Sequence, residues 1–150
     1  VISKTSLHAV KAFAALANLP DGRYAGAGTL AEQIGAHANY LGKLLQMLAR
    51  EGLVVSQKGL GGGFRLTRPA AQITMYDVVE PIDHVSRWRG CIMGRAECGG
   101  DNPCAVHERW ALVREAYLRL LTETTIAELA ANPEGALNHL LIEQIPAMPA

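Results

Sequence analysis

Every cysteine of this 150-residue chain lies within fourteen positions, in the stretch CIMGRAECGGDNPCAVHERW over residues 91–110. Cys91, Cys98, Cys104 and His107 follow the spacing C-x6-C-x5-C-x2-H. Three is an odd number, so disulfides within one chain cannot use all of them. Thiolates select zinc or the iron of iron–sulfur groups, and an imidazole joins either set. Three cysteines and a histidine complete a tetrahedral zinc site. Structural zinc sites, however, bring their ligands in tight pairs about two to four residues apart. Intervals of six and five are loose for that, whereas a cluster of two or more irons is wider and accepts a larger loop. Spacing alone leaves an iron–sulfur cluster, zinc and unligated redox thiols open, in that order of preference. Cys104 and His107 are three residues apart where a helix is predicted to start, so both point to one side. Glycine, asparagine and proline between the cysteines supply the turns such a loop needs. Met93 reads as packing, and Trp88 and Trp110 flank the loop.

The remaining sequence bounds what these ligands can serve. No C-x-x-C pair, phosphate-binding loop, nucleophile elbow or H-E-x-x-H helix is present, which argues against an enzyme. About half of the residues are apolar, enough for one ordinary core. No run approaches the roughly 18 apolar residues of a membrane span. The expected location is the cytoplasm, where thiols stay reduced and clustered cysteines more often bind metal than pair. Net charge is zero, but the halves differ. Residues 1–68 hold eight basic against three acidic residues, and residues 69–150 hold six against eleven. Such a split points the first half toward a polyanion.

The elements that must position these groups read as mainly α with a small β-hairpin. Leu7, Val10, Phe13, Ala14 and Ala17 recur at helical spacing over about Thr5 to Asn18. In TLAE, Thr29 is the expected N-cap with Glu32 three residues on, a capping box; Leu30, Ala31 and Ile34 face inward and Gly35 ends the helix. A second helix follows from about Ala38 to Glu51, with Leu41, Leu44, Leu45 and Leu48 inward. Two short helices joined by a glycine turn are a helix-turn-helix, whose second helix enters a major groove. His37, Asn39, Tyr40 and Lys43 lie at its leading end, and His37 caps it or meets phosphate. LVVSQ and FRLTR then read as strands around KGLGGG, a basic wing in which Lys58, Gly61, Gly62 and Arg65 approach DNA. TMYDVVEPID forms a short helix from Thr74, with Val78, Val79 and Ile82 inward and Pro81 bending or ending it. Beyond the cysteines, Val106, Trp110, Val113, Tyr117 and Leu120 form a heptad seam on a dimerisation helix from about Pro103 to Thr124. TTIAELA adds a last amphipathic turn. The expected organisation is a winged helix-turn-helix DNA-binding domain over residues 1–84, a cysteine-rich cluster-binding loop over 85–104, a dimerisation helix and helical turn over 105–132, and a tail over 133–150.

With SLHAVKAFAALA, TLAEQIGAHANYLGKLLQMLAREGLVVSQKGLGGGFRLTRPA, ITMYDVVEPID and the cysteine loop in view, the chain resembles the IscR/NsrR-type winged helix-turn-helix iron–sulfur transcription regulators. The resemblance covers most of the chain. It implies a homodimeric, repressor-type regulator of a double-stranded DNA operator, whose affinity follows the state of an iron–sulfur cluster. By motif match Cys91, Cys98 and Cys104 are thiolate ligands and His107 is the fourth ligand of the [2Fe–2S] type, which is favoured over [4Fe–4S]. The [4Fe–4S] type takes an acidic residue from the partner's first helix. Leu7 falls near that position and cannot ligate, whereas adjacent His8 can, which makes His8 a candidate ligand in trans. The first cysteine interval is one residue longer than the IscR pattern. Gly42 stands where IscR-type proteins carry an operator-selecting side chain. The alternative is a zinc-stabilised DNA-binding or adaptor dimer that senses nothing.

Overall fold

The computed structural model describes residues 2–132; the tail expected over 133–150 lies outside the described residues. Helices α1 (Lys4–Ala17), α2 (Ala27–Ile34) and α3 (Ala38–Arg50) precede strands β1 (Val54–Gln57) and β2 (Gly63–Leu66), and α4 (Met75–Asp83), α5 (His107–Glu123) and α6 (Ile126–Ala131) follow. A short 3-10 turn, Val85–Arg89, joins α4 to the cysteine loop. The fold is thus mainly helical with one two-stranded antiparallel hairpin.

Helix α1 is the hub. It touches α2, α3, β2, α4 and α6, so it buries Ala9, Ala12 and Leu16 as well as Val10, Phe13 and Ala14. The single stripe read from periodicity is too narrow, and its Leu7 and Ala17 are only half-buried. Ser3 starts the helix by accepting the Ser6 N–H at 3.1 Å. Its own N–H donates to Asp83 at the end of α4 at 2.8 Å, which ties the first helix to the fourth.

The start of α2 differs from expectation. Thr29 is not its cap: the helix begins a turn earlier behind Gly26, with no side-chain cap, and Thr29 is the third helical residue. The reason is tertiary. Ala25 pairs with Phe64 of β2 through two backbone bonds of 2.9 and 2.8 Å, and this isolated bridge delivers the chain into the helix at Gly26. In α3 the expected residues Leu41, Leu44, Leu45 and Leu48 are buried. Helix α4 begins at Thr74 with a reciprocal capping box to Asp77. Pro81 does not end it; the helix continues to Asp83, and His84 closes it in the left-handed region at φ 50°. Thr125 and Glu128 form a second capping box at α6. Backbone bonds from Met75 to Thr124 and from Ile126 to Ile73 stitch the two capped starts together.

Helix α5 starts at His107 rather than near Pro103. Its heptad positions share one face of the helix but differ in burial. Tyr117 stacks on Trp88 of the same chain at 4.8 Å, and Trp110 meets that ring at 6.3 Å. Val113 and Leu120 instead lie 60% and 56% exposed, next to Leu112 at 69%. The predicted seam is split between an edge used within the chain and an edge left open.

Candidate metal centre and nucleic-acid interface

Cys91 arrives from the 3-10 turn, Cys98 from the loop, and Cys104 and His107 from the last turn before α5 and its first residue. The three Sγ atoms lie within 4.8 Å of one another. Cys91 Sγ is 3.7 Å from Cys104 Sγ, and Cys98 Sγ is 3.3 Å from His107 Nδ1. The Cys104 N–H donates to Cys98 Sγ at 3.4 Å. All four expected ligands therefore line one small cavity of about 20 Å³, closed by Arg89, Gly90, Trp110 and Arg114. His107 N–H donates to the Cys104 carbonyl at 3.0 Å, and this turn puts both side chains on one side. Gly99 passes beneath the imidazole at φ 132°, where a Cβ would come within 3.2 Å of His107 Cε1. A side chain there would push the ring away from the thiols.

Metals bind thiolates, so thiol acidity matters. The Arg95 backbone N–H, helped by that of Met93 and by the neighbouring thiols, lowers Cys91 to about 7 against a desolvation that opposes it. At Cys98 the Cys104 N–H also lowers the pKa. Desolvation and the adjacent thiols outweigh it, and this thiol lies above its ordinary range. The donor set fits a soft metal group. The separation of Cys91 and Cys104 is close to the roughly 3.8 Å edge of a tetrahedron with metal–sulfur bonds of about 2.3 Å, and among the described residues no carboxylate joins the three thiols.

The second site is the outer face of α3 with the wing. Asn39 and Lys43 are exposed on it, and His37 is the N-cap residue although its side chain makes no capping bond. Gln46 and Arg50 continue the same face and share a groove of about 680 Å³ with Asn39 and Lys43. The spacing 39, 43, 46, 50 is helical, and that signal in the sequence was sufficient to find both. Gly42 lies in the groove too. A Cβ there would meet only Ala27 at 3.5 Å, so packing does not demand glycine and the effect is a missing side chain on the outer face of α3. Lys58 and Gly61 are exposed at the wing tip.

Two expected contacts have partners of their own. The Arg65 guanidinium lies over the Tyr24 ring at 4.9 Å. Tyr40 meets His8 edge-on at 5.7 Å. His8 therefore sits against the recognition helix, with Nδ1 buried and unpartnered among the described residues. Desolvation, then Lys4 and Lys11, lowers its pKa. Within one chain His8 does not join the thiols. Arg68, part of the positive first half, bonds Asp77 at 3.4 Å and serves the fold.

A winged helix-turn-helix carrying a thiol-rich ligand loop ahead of a long helix defines a class of protein. The model of one family, Rrf2, described as an iron-dependent transcriptional regulator, matches residues 2–132, and the chain belongs to that family. The family is one of regulators, not enzymes. Among curated relatives, the transcriptional regulator IscR of Cronobacter sakazakii is 31% identical over 105 residues, covering 70% of this chain and 64% of the relative. IscR of Yersinia pestis is 32% identical, covering 70% and 63%. The chain thus spans less than two thirds of the length of these relatives. Among solved structures, the cysteine regulator CymR of B. subtilis superposes with a TM-score of 0.71 at 26% identity, covering 87% of this chain and 96% of CymR. IscR of T. potens gives 0.71 at 22% identity, covering 89% and 88%, a likeness of fold. No helix among the described residues is long and apolar enough to cross a membrane.

Proposed function

We propose that this chain is a homodimeric DNA-binding regulator whose operator affinity is set by an iron–sulfur cluster on Cys91, Cys98, Cys104 and His107. The observation that carries the reading is the convergence of three thiols within 4.8 Å, with His107 Nδ1 3.3 Å from one of them, in a member of an iron-dependent regulator family. A neutral imidazole as fourth ligand favours [2Fe–2S], because such a cluster takes four ligands of which histidine can replace cysteine. In this reading residues 1–84 bind DNA, residues 85–104 carry the cluster and residues 105–132 make the dimer contact. The open edge of α5 supports the dimer, since Val113 and Leu120 are exposed seven residues apart on one face, beside exposed Leu112, and such apolar side chains want a partner helix. A dyad then sets two recognition helices about one turn of DNA apart, roughly 34 Å. His37, Asn39, Tyr40 and Lys43, extended by Gln46 and Arg50, read the major groove. Lys58, Gly61, Gly62 and Arg65 of the wing meet the backbone or minor groove.

The test is an anaerobic preparation examined three ways. Visible absorption with iron and sulfide in equal amounts is expected, and Cys91→Ala, Cys98→Ala and Cys104→Ala should each abolish it while the dimer survives. Footprinting with and without cluster should show two matching patches related by a dyad, at different protein concentrations. A colourless protein with stoichiometric zinc supports the zinc-stabilised dimer instead. Should His107→Ala match wild type in spectrum and cluster lifetime, the fourth ligand lies elsewhere, and His8 of the partner subunit is the next residue to change.

A further inference from the structure

We infer that Arg114 is a positioning residue for the thiol site: it ties the approach to Cys91 onto α5 and sets a fixed positive charge in the pocket wall. The inference rests on the iron–sulfur reading above. Cys104 and His107 are brought together by one turn of chain, and Cys98 is held by the Cys104 N–H. Cys91 takes the N–H groups of Met93 and Arg95, but those residues travel with it, and it reaches Cys104 from thirteen residues away. What brings it in is the side of α5. The Trp110 Nε1–H donates to the Gly90 carbonyl at 3.0 Å, and Arg114 Nη1 donates to the Arg89 carbonyl at 2.9 Å. Two donors one helical turn apart thus take the two consecutive carbonyls ahead of Cys91. Trp88, just before them, stacks on Tyr117 of the same helix.

Trp110 brings a neutral donor, but Arg114 brings charge. A guanidinium is a planar, delocalised cation. Arg114 lines the same small cavity as all four ligands. No carboxylate neutralises it: among the described residues the ion pairs are Arg68 with Asp77 and Arg119 with Glu115 and Glu123. A [2Fe–2S] core on three thiolates and a neutral imidazole is an anion, and reduction adds one more negative charge. A nearby fixed cation favours the reduced state, because cluster potential follows local charge. Arg114 therefore couples two properties of the loop, the placement of Cys91 and the ease of reduction.

The test uses the full chain as wild type, Arg114→Gln and Arg114→Lys. Each is reconstituted with iron and sulfide for iron affinity and midpoint potential. Each metal-free form is treated with iodoacetamide, and alkylation of Cys91 is followed by mass spectrometry. Arg114→Gln should bind iron about tenfold or more weakly, as outer-shell changes at metal sites do. Its potential should move to more negative values, and Cys91 should be alkylated several-fold faster. Arg114→Lys keeps the charge and should return the potential toward wild type, a rescue that simple loss of packing does not predict. A wild-type potential in Arg114→Gln, or a potential in Arg114→Lys as displaced as in Arg114→Gln, overturns the electrostatic role. If the wild-type chain takes up no cluster, the iron–sulfur reading fails by itself. Equal Cys91 alkylation in wild type and Arg114→Gln then overturns the tether as well.

Discussion

The winged half and the thiol loop are held by different forces. Phe13, Leu30, Leu41, Leu45 and Leu48 are fully buried in one core that also takes in Phe64 of the wing, Ile73, Leu121 and Ile126. None of residues 91–106 is buried, and Ile92 and Met93 of the loop are 56% and 67% exposed. The winged half owes its shape to removal of apolar surface from water, which needs no ligand. The loop owes its shape to a few hydrogen bonds, among them those from Trp110 and Arg114 at its start and from the Cys104 N–H at its end. A change at the loop therefore alters a region with little stability of its own, while the winged half stays folded. That asymmetry suits a sensor, because low local stability is where a bound group most readily changes conformation.

The contrast breaks first in stability. Phe13→Ala should cost about 3–5 kcal/mol, the usual range for removing a fully buried phenylalanine. Cys98→Ala should leave the melting temperature of the metal-free chain where it was. Calorimetry of the two variants decides; comparable losses would place the loop inside the cooperative core. The wing offers a second, smaller break. Gly63 adopts φ 129°, and a Cβ there would fall 2.3 Å from the Ala25 carbonyl oxygen. Gly63→Ala should cost at least about 1–3 kcal/mol of backbone strain and detach the wing from Ala25. DNA affinity, measured by anisotropy, should fall steeply while iron uptake persists. Iron loss in step with DNA affinity would show the two regions to be one unit.

Finer effects sharpen the comparison without unfolding anything. Lys58→Ala should weaken binding to every duplex alike and reduce the salt slope by about 0.9 for one lost phosphate contact. An unchanged slope in a titration series would free Lys58 from that role. The smallest effect is local to the loop. With Cys91 lowered to about 7, its reactive thiolate fills as pH rises through neutrality and is lost as pH falls through that value. Cys98, held above its ordinary range, should follow only at higher pH. Alkylation of the metal-free chain across a pH series, resolved by residue, should give two separated midpoints; coincident midpoints would mean the thiols share one environment.

Local pattern was enough for much of this. Apolar spacing in α1, α3 and α4, the Thr74 start and the glycine-rich hairpin follow from which residues lie one turn or two positions apart, and the three clustered cysteines from their crowding within fourteen positions. These properties belong to short stretches of chain, and composition and period encode them directly. The tertiary structure decided what depends on a distant neighbour. Thr29 lost its capping role because Ala25 pairs with Phe64 across almost forty residues. The heptad on α5 divided because Trp88 claims Tyr117 and Trp110. Arg65 and Arg68, counted in the sequence as plain positive charge, meet Tyr24 and Asp77. Arg114 gained its place beside the thiols only when α5 folded against the 3-10 turn. Periodicity says which face of an element is apolar. Which partner arrives at that face is settled by the competition of all elements for one core.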